Sequence, residues 1–173
     1  MRHGLTCAVL LAMLGASAPA RGDDWSGAYG GFQFGAFDGE ATGAGGGAQT
    51  GGLAGLHAGY GVDLGTFVLG GEVDLDFGQV TFGDVTVDSI ARLKLRAGGS
   101  LGRTFVYGTA GLARADTSIG VGTGGFAGIG AGWRLGERTT IGGEVLYQQF
   151  DDVDGSGVDL EGTTATARVT FSF

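Results

Sequence analysis

Two short runs of charge hold the residues most able to do chemistry. Glu72, Asp74 and Asp76 alternate with apolar residues, and so do Arg92, Lys94 and Arg96. A period of two puts each triplet on one side of a strand. Closely spaced acids can serve general acid–base catalysis. The equal run of cations one segment later offers a simpler role, which is ion pairing. One hairpin register sets Asp76 opposite Arg92, Asp74 opposite Lys94 and Glu72 opposite Arg96, so all six charges are matched. Glu144 and Arg168, near the end of the chain, can pair in the same manner.

Other chemistry is weakly supported. Hydrolysis needs a nucleophile beside a base. Beyond His3 the only histidine is His57, and no serine lies within two residues of it. It reads as a space-filling or hydrogen-bonding residue. Cys7 is the single cysteine, so neither a disulfide framework nor a thiolate metal site is expected. Asp151-Asp-Val-Asp154 lacks the alternation and closing glutamate of a calcium loop. The glycine string at 120–125 has no helix after it to complete a phosphate loop. No catalytic residue, metal or cofactor is expected. The net charge of −8, with no basic run, argues against nucleic acid as a partner.

The elements that carry these residues are all extended. Phe67 to Phe77 sets Phe67, Leu69, Gly71, Val73, Leu75 and Phe77 against the acids. Ser89 to Leu101 sets Ala91, Leu93, Leu95, Ala97 and Leu101 against the bases. The same alternation is read in Ser26 to Phe37, Gly52 to Val62, Gly124 to Leu135, Thr139 to Phe150 and Thr163 to Phe173. Thr104 to Ala115 is apolar on both faces. These are eight segments of about ten residues, the length a tilted strand needs to cross a bilayer.

The connections alternate in length. Residues 63–66, 102–103 and 136–138 make short ones. Residues 38–51, 78–88, 116–123 and 151–162 make long ones, which carry most of the acidic charge. Short periplasmic turns and longer outer loops are the pattern of bacterial barrels.

The first twenty residues read as a cleaved leader. Arg2 is followed by an apolar stretch from Cys7 to Leu14 and then small residues, with Ala18-Pro19-Ala20 as the cleavage pattern. The stretch is too short to span as a helix. The domain division is thus a signal peptide over 1–20 and a barrel over 21–173.

A soluble sandwich would also alternate, so other features decide. Opposite charges on neighbouring strands can be enclosed in a narrow barrel only as pairs. Aromatic residues gather near segment ends: Tyr60, Phe67, Phe105, Trp133, Phe171 and Phe173 at the short-turn side, and Phe37, Phe77, Tyr147 and Phe150 at the other. Two aromatic girdles are expected of a membrane barrel. The 40 glycines gain a purpose, since long charged side chains inside eight strands demand small neighbours. Gly98, Gly128, Gly130 and Gly132 are the candidates.

The opening Asp24-Trp-Ser-Gly-Ala-Tyr-Gly-Gly31, the run from Glu144 through Tyr147 to Phe150-Asp-Asp, and a final alternating strand ending on Phe173 resemble the small OmpA-like, opacity-type outer-membrane barrels. The resemblance covers the whole chain after the leader. It implies an all-β, eight-stranded antiparallel up-and-down transmembrane barrel in the outer membrane. It also implies that Phe171 and Phe173 signal to the barrel-assembly machinery. The expected function is structural and non-enzymatic, with outer-membrane lipid as surroundings, an ion-paired lumen and acidic external loops able to meet a surface ligand. A small porin-like channel, a loop-mediated adhesion protein and a lipid-modifying enzyme are the rivals.

Overall fold

The computed structural model describes residues 24–42, 48–82, 85–117, 120–150 and 159–173. Eight strands follow in chain order: β1 (Gly27–Thr42), β2 (Ala48–Asp63), β3 (Phe67–Phe82), β4 (Val85–Leu101), β5 (Thr104–Thr117), β6 (Gly120–Arg134), β7 (Thr139–Phe150) and β8 (Asp159–Ser172). Each pairs antiparallel with its sequence neighbours, and β8 closes on β1. Closure leaves no unpaired edge, which a sheet surrounded by lipid requires. No helix among the described residues is long and apolar enough to cross a membrane.

The alternation sorts the side chains. Leu56, Leu93, Leu95, Leu112 and Ile129 point outward, with Leu95 75% exposed. Glu72, Asp74, Asp76, Arg92, Lys94, Glu144 and Arg168 point inward and are buried. A water-soluble protein would show the reverse, so the outer surface is matched to lipid. On β5 the inward face is Phe105, Tyr107, Thr109, Ala113 and Ala115, which settles the strand whose two faces look alike in sequence.

Three expectations are corrected. First, the strands are longer than ten residues and take up much of the expected loops. A 16-residue strand tilted by about 40° rises roughly 40 Å, against an apolar band of about 25 Å. The barrel therefore continues beyond the lipid, and Asp38, Glu40, Asp88, Asp116 and Glu161 sit exposed on strands. Second, Phe37, Phe105 and Phe150 do not join the girdles; they lie inside at 1%, 6% and 1% exposure. Their parity follows the inward residues of their strands.

Third, the β3–β4 register differs by two residues from the expected one. Glu72 lies opposite Lys94, Asp74 opposite Arg92 and Asp76 opposite Ile90. The ladder also shifts between Phe77 and Val80, a bulge near the hairpin's outer end. A bulge inserts a residue in one strand and changes the alignment of everything beyond it.

The leader and its cleavage residues Ala18 and Ala20 lie outside the described residues, as do the calcium-like run at 151–157 and parts of the other long loops.

Candidate functional site: the charged lumen

The lumen is layered. At its middle, Lys94 Nζ lies 2.5 Å from Asp74 and 3.5 Å from Glu72, and it is also bonded to Glu144. Its side chain has no exposed surface. These three carboxylates have oxygens within 4.8 Å of one another, close enough to hold a metal ion. The Lys94 ammonium stands among them and supplies the compensating charge.

Around this centre the network is shared. Arg168 donates through Nη2 to Glu72 at 2.8 Å and through Nη1 to Glu144 at 2.9 Å. Arg96 donates to Glu72 at 2.8 Å and to the Tyr29 hydroxyl at 2.9 Å. Arg92 is bonded to Asp76 and donates to Gln148 Oε1 at 2.9 and 3.1 Å and to Thr164 at 3.3 Å. Gln33 donates to Asp76 at 2.6 Å and to Asp74 at 3.3 Å. The Tyr107 hydroxyl donates to Glu144 at 3.0 Å.

The network thus joins four acids, Glu72, Asp74, Asp76 and Glu144, to four bases, Arg92, Lys94, Arg96 and Arg168. Enclosed charges persist only when matched and hydrogen-bonded, because desolvation costs several kcal/mol per ion.

The pairs are made diagonally. Arg96 lies opposite Gly70 yet reaches Glu72, and Arg168 lies opposite Gly142 yet reaches Glu144. Arg92 likewise passes Asp74 to reach Asp76. In each case the cation reaches one inward position toward the long-loop end. Strand twist offsets facing side chains, and diagonal neighbours lie within reach of long ones.

Apolar layers flank the ions. Toward the long-loop end, Phe37, Leu53, Ile90, Ala113, Ala115, Phe126, Leu146 and Phe150 pack together. Toward the short-turn end, Val68, Phe105 and Tyr107 pack with Trp25. Arg96 stacks 3.8 Å above the Tyr107 ring, and Arg134 lies 4.2 Å from the Trp25 ring. Inward glycines make the room: a Cβ on Gly130 would lie 2.8 Å from Tyr107 Cε2, with other ring atoms nearer, and one on Gly98 would lie 2.7 Å from Tyr107 Cβ.

Sequence reasoning missed Tyr29, Tyr107, Trp25 and the apolar layers as parts of the lumen; it placed Arg134 and Thr164 on the polar face of their strands without giving them a role. Parity was the available signal. Phe37 is four residues from inward Gln33, and Phe150 is two from inward Gln148.

His57 is 3% exposed, and its Nε2 lies 2.9 Å from the Thr170 hydroxyl. Among the described residues no carboxylate hydrogen-bonds its ring, so the orienting acid of a catalytic triad is missing. Phe171 and Phe173 face outward at 40% and 57% exposure, and the Phe173 amide donates to Ala28 at 3.0 Å.

A closed antiparallel barrel with an apolar exterior and a charged, matched interior is a transmembrane β-barrel of the outer-membrane type. The chain belongs to the outer membrane protein beta-barrel domain family, whose model matches residues 6–173. Its place is therefore the outer membrane. Among solved structures it is similar to neisserial surface protein A, at 15% identity and a TM-score of 0.55, over 85% of this chain and 99% of that one. It is also similar to Ail, the attachment invasion locus protein of Yersinia pestis, at 13% identity and a TM-score of 0.47, over 84% and 99%. It is similar as well to OprG from Pseudomonas aeruginosa, at 12% identity and a TM-score of 0.47, over 88% and 98%. No curated protein matches the sequence. At 15% identity the likeness to neisserial surface protein A speaks for the fold alone.

Proposed function

We propose that this protein is a structural, non-enzymatic outer-membrane barrel whose lumen is closed to ions and solutes. It enters the membrane after a leader of residues 1–20 is removed, through recognition of its final strand, with Phe171 and Phe173, by the barrel-assembly machinery. The observation that carries the reading is Lys94, fully enclosed among Glu72, Asp74 and Glu144. A continuous aqueous path would hydrate this ammonium. The apolar layer from Phe37 to Phe150 adds a second barrier above it. His57, buried with the Thr170 hydroxyl as its partner, fits a hydrogen-bonding role.

The test is solute entry into proteoliposomes. Vesicles carrying the folded protein should swell in a small neutral sugar no faster than protein-free vesicles. Rapid swelling would reject the closed lumen.

A second reading places function at the outer rim. Asp38, Glu40, Asp88, Asp116 and Glu161 are exposed there and suit a cationic surface ligand. Replacing these acids by their amides should abolish surface binding under that reading while leaving the barrel folded.

A further inference from the structure

The outer wall of the barrel is not evenly covered by side chains. Val106, Ala131, Gly143, Ala167 and Phe34 are successive ladder partners across β5, β6, β7, β8 and β1. The three middle members are small and face outward. Trp133 and Ile141 stand on the short-turn side of them and Ile129 and Val145 on the other, all between 40% and 70% exposed. The result is a groove. Open spaces of about 630 and 440 Å³ share Phe34, Ala131 and Ala167 and so run together.

We infer that this groove seats one acyl chain of an anionic phospholipid of the inner leaflet, with the lipid phosphate held by Arg103. Charge is the first reason. Arg103 is exposed at the β4–β5 turn, just before Thr104, which lines the groove. It donates to the Leu135 carbonyl at 3.0 Å, and its guanidinium lies 5.8 Å from the centre of the Trp133 ring. These contacts hold a cation at the lower wall of the groove. Among the described residues no carboxylate pairs with it. A guanidinium fork suits a phosphate, and tryptophan is favoured at the level of lipid headgroups. Arg138 is exposed at the same end but shares its turn with Glu137, so Arg103 is the anchor.

Direction is the second reason. Val106 is the third residue of β5, and Phe34 is the eighth of β1. The row therefore climbs from near the short turns, beside Arg103, toward the middle of the barrel. Its four ladder steps span about 19 Å, and with strands tilted by about 40° they rise about 12 Å. One leaflet of the hydrocarbon core is about 15 Å thick. Short turns face the periplasm in barrels of this type, which places the lipid in the inner leaflet.

The opposite wall supplies a contrast. A groove of about 800 Å³ lies over Gly71, Ala97 and Gly108. The β2–β3 turn at its foot, Asp63 to Thr66, holds an acid and no base, so nothing there matches a lipid phosphate.

Native mass spectrometry of the protein refolded in detergent and titrated with palmitoyl-oleoyl phosphatidylglycerol tests the site. A gel shift on heating confirms folding of each sample. One lipid should bind about tenfold more tightly than those that follow. Arg103→Gln should weaken that first lipid by about tenfold, the loss of roughly one charged hydrogen bond. Ala167→Leu, which fills the groove, should weaken it as well, and Ala97→Leu in the opposite groove should not. Glycerol phosphate, the headgroup without chains, should compete poorly. Lipids binding with no distinct first site, or equal first affinities in Arg103→Gln and the parent, would overturn the proposal. So would an equal loss from Ala97→Leu, or full displacement by glycerol phosphate. A second measurement needs no variant. Trp133 faces the lipid, whereas Trp25 packs inside against Phe105. Phosphatidylglycerol brominated on its chains should therefore quench tryptophan emission in vesicles more than equally brominated phosphatidylcholine at the same mole fraction, and equal quenching would refute the site.

Discussion

Lys94 lies opposite Glu72 in the β3–β4 ladder, yet its ammonium sits 2.5 Å from Asp74 and 3.5 Å from Glu72. This offset recurs for Arg92, Arg96 and Arg168. The lumen is therefore wired along diagonals, and each acid is shared between strands that are distant in sequence. Glu72 meets Lys94, Arg96 and Arg168, which come from β4 and β8. The network ties opposite walls of the barrel together.

Arg92 and Asp76 test this wiring. Arg92→Met leaves the Asp76 carboxylate with Gln33 as its remaining side-chain partner. A lone enclosed charge costs about 3–5 kcal/mol. Adding Asp76→Leu to the same protein should recover much of that loss. Urea unfolding in detergent or lipid vesicles measures both. Equal stability of the single and double variants would reject the pairing.

The packing of Tyr107 against Gly130 makes a second prediction. Gly130→Leu would drive a side chain into the Tyr107 ring and should cost about 1–3 kcal/mol through overpacking. Tyr107→Ser in the same chain should relieve part of that cost. Additive losses in the double variant would show that the two positions do not share space.

A smaller change isolates a single hydrogen bond. Tyr107→Phe keeps the ring under Arg96 but removes the donor to Glu144. The expected loss is about 1.5–3 kcal/mol, as for a bond to a charged group. An unchanged unfolding midpoint would mean that the cations alone satisfy Glu144.

Leu95 tests the lipid face. It is 75% exposed, and on a soluble protein Leu95→Arg would be harmless. In a bilayer the same change should cost about 2–4 kcal/mol near the midplane. Comparing folding into vesicles of thin and thick bilayers reads the depth, and neutrality in both would contradict the placement of this face.

Much of this was legible from alternation. The acids of β3 and the bases of β4 share one parity, and that parity defined the inside of the barrel. Eight segments and three short turns followed from the same pattern. Gly102 closes one of those turns with φ of +57°, a left-handed conformation that glycine adopts without strain. The register was not legible. A bulge beyond Phe77 leaves no mark in composition, and diagonal pairing allows the same ion pairs from a ladder shifted by two. The apolar layers were hidden for another reason. Phe37, Phe105 and Phe150 are large and lie near the ends of the segments read from sequence, where girdle and lumen residues differ only in parity. The short-turn apolar layer depends on Trp25, which precedes the first strand and is positioned by the Asp63 carboxylate accepting its amide at 3.0 Å. No local pattern encodes a contact between residues 38 positions apart.

The closed lumen is tested most directly by planar-bilayer conductance of the refolded protein, on a sample whose folding is confirmed by a shift in gel mobility on heating. Silence is predicted, because Lys94 and its three acids fill the middle and the Phe37–Phe150 layer seals the far side. Steady, reproducible unitary channels from the folded protein would contradict it and would make these charges the lining of an ion path.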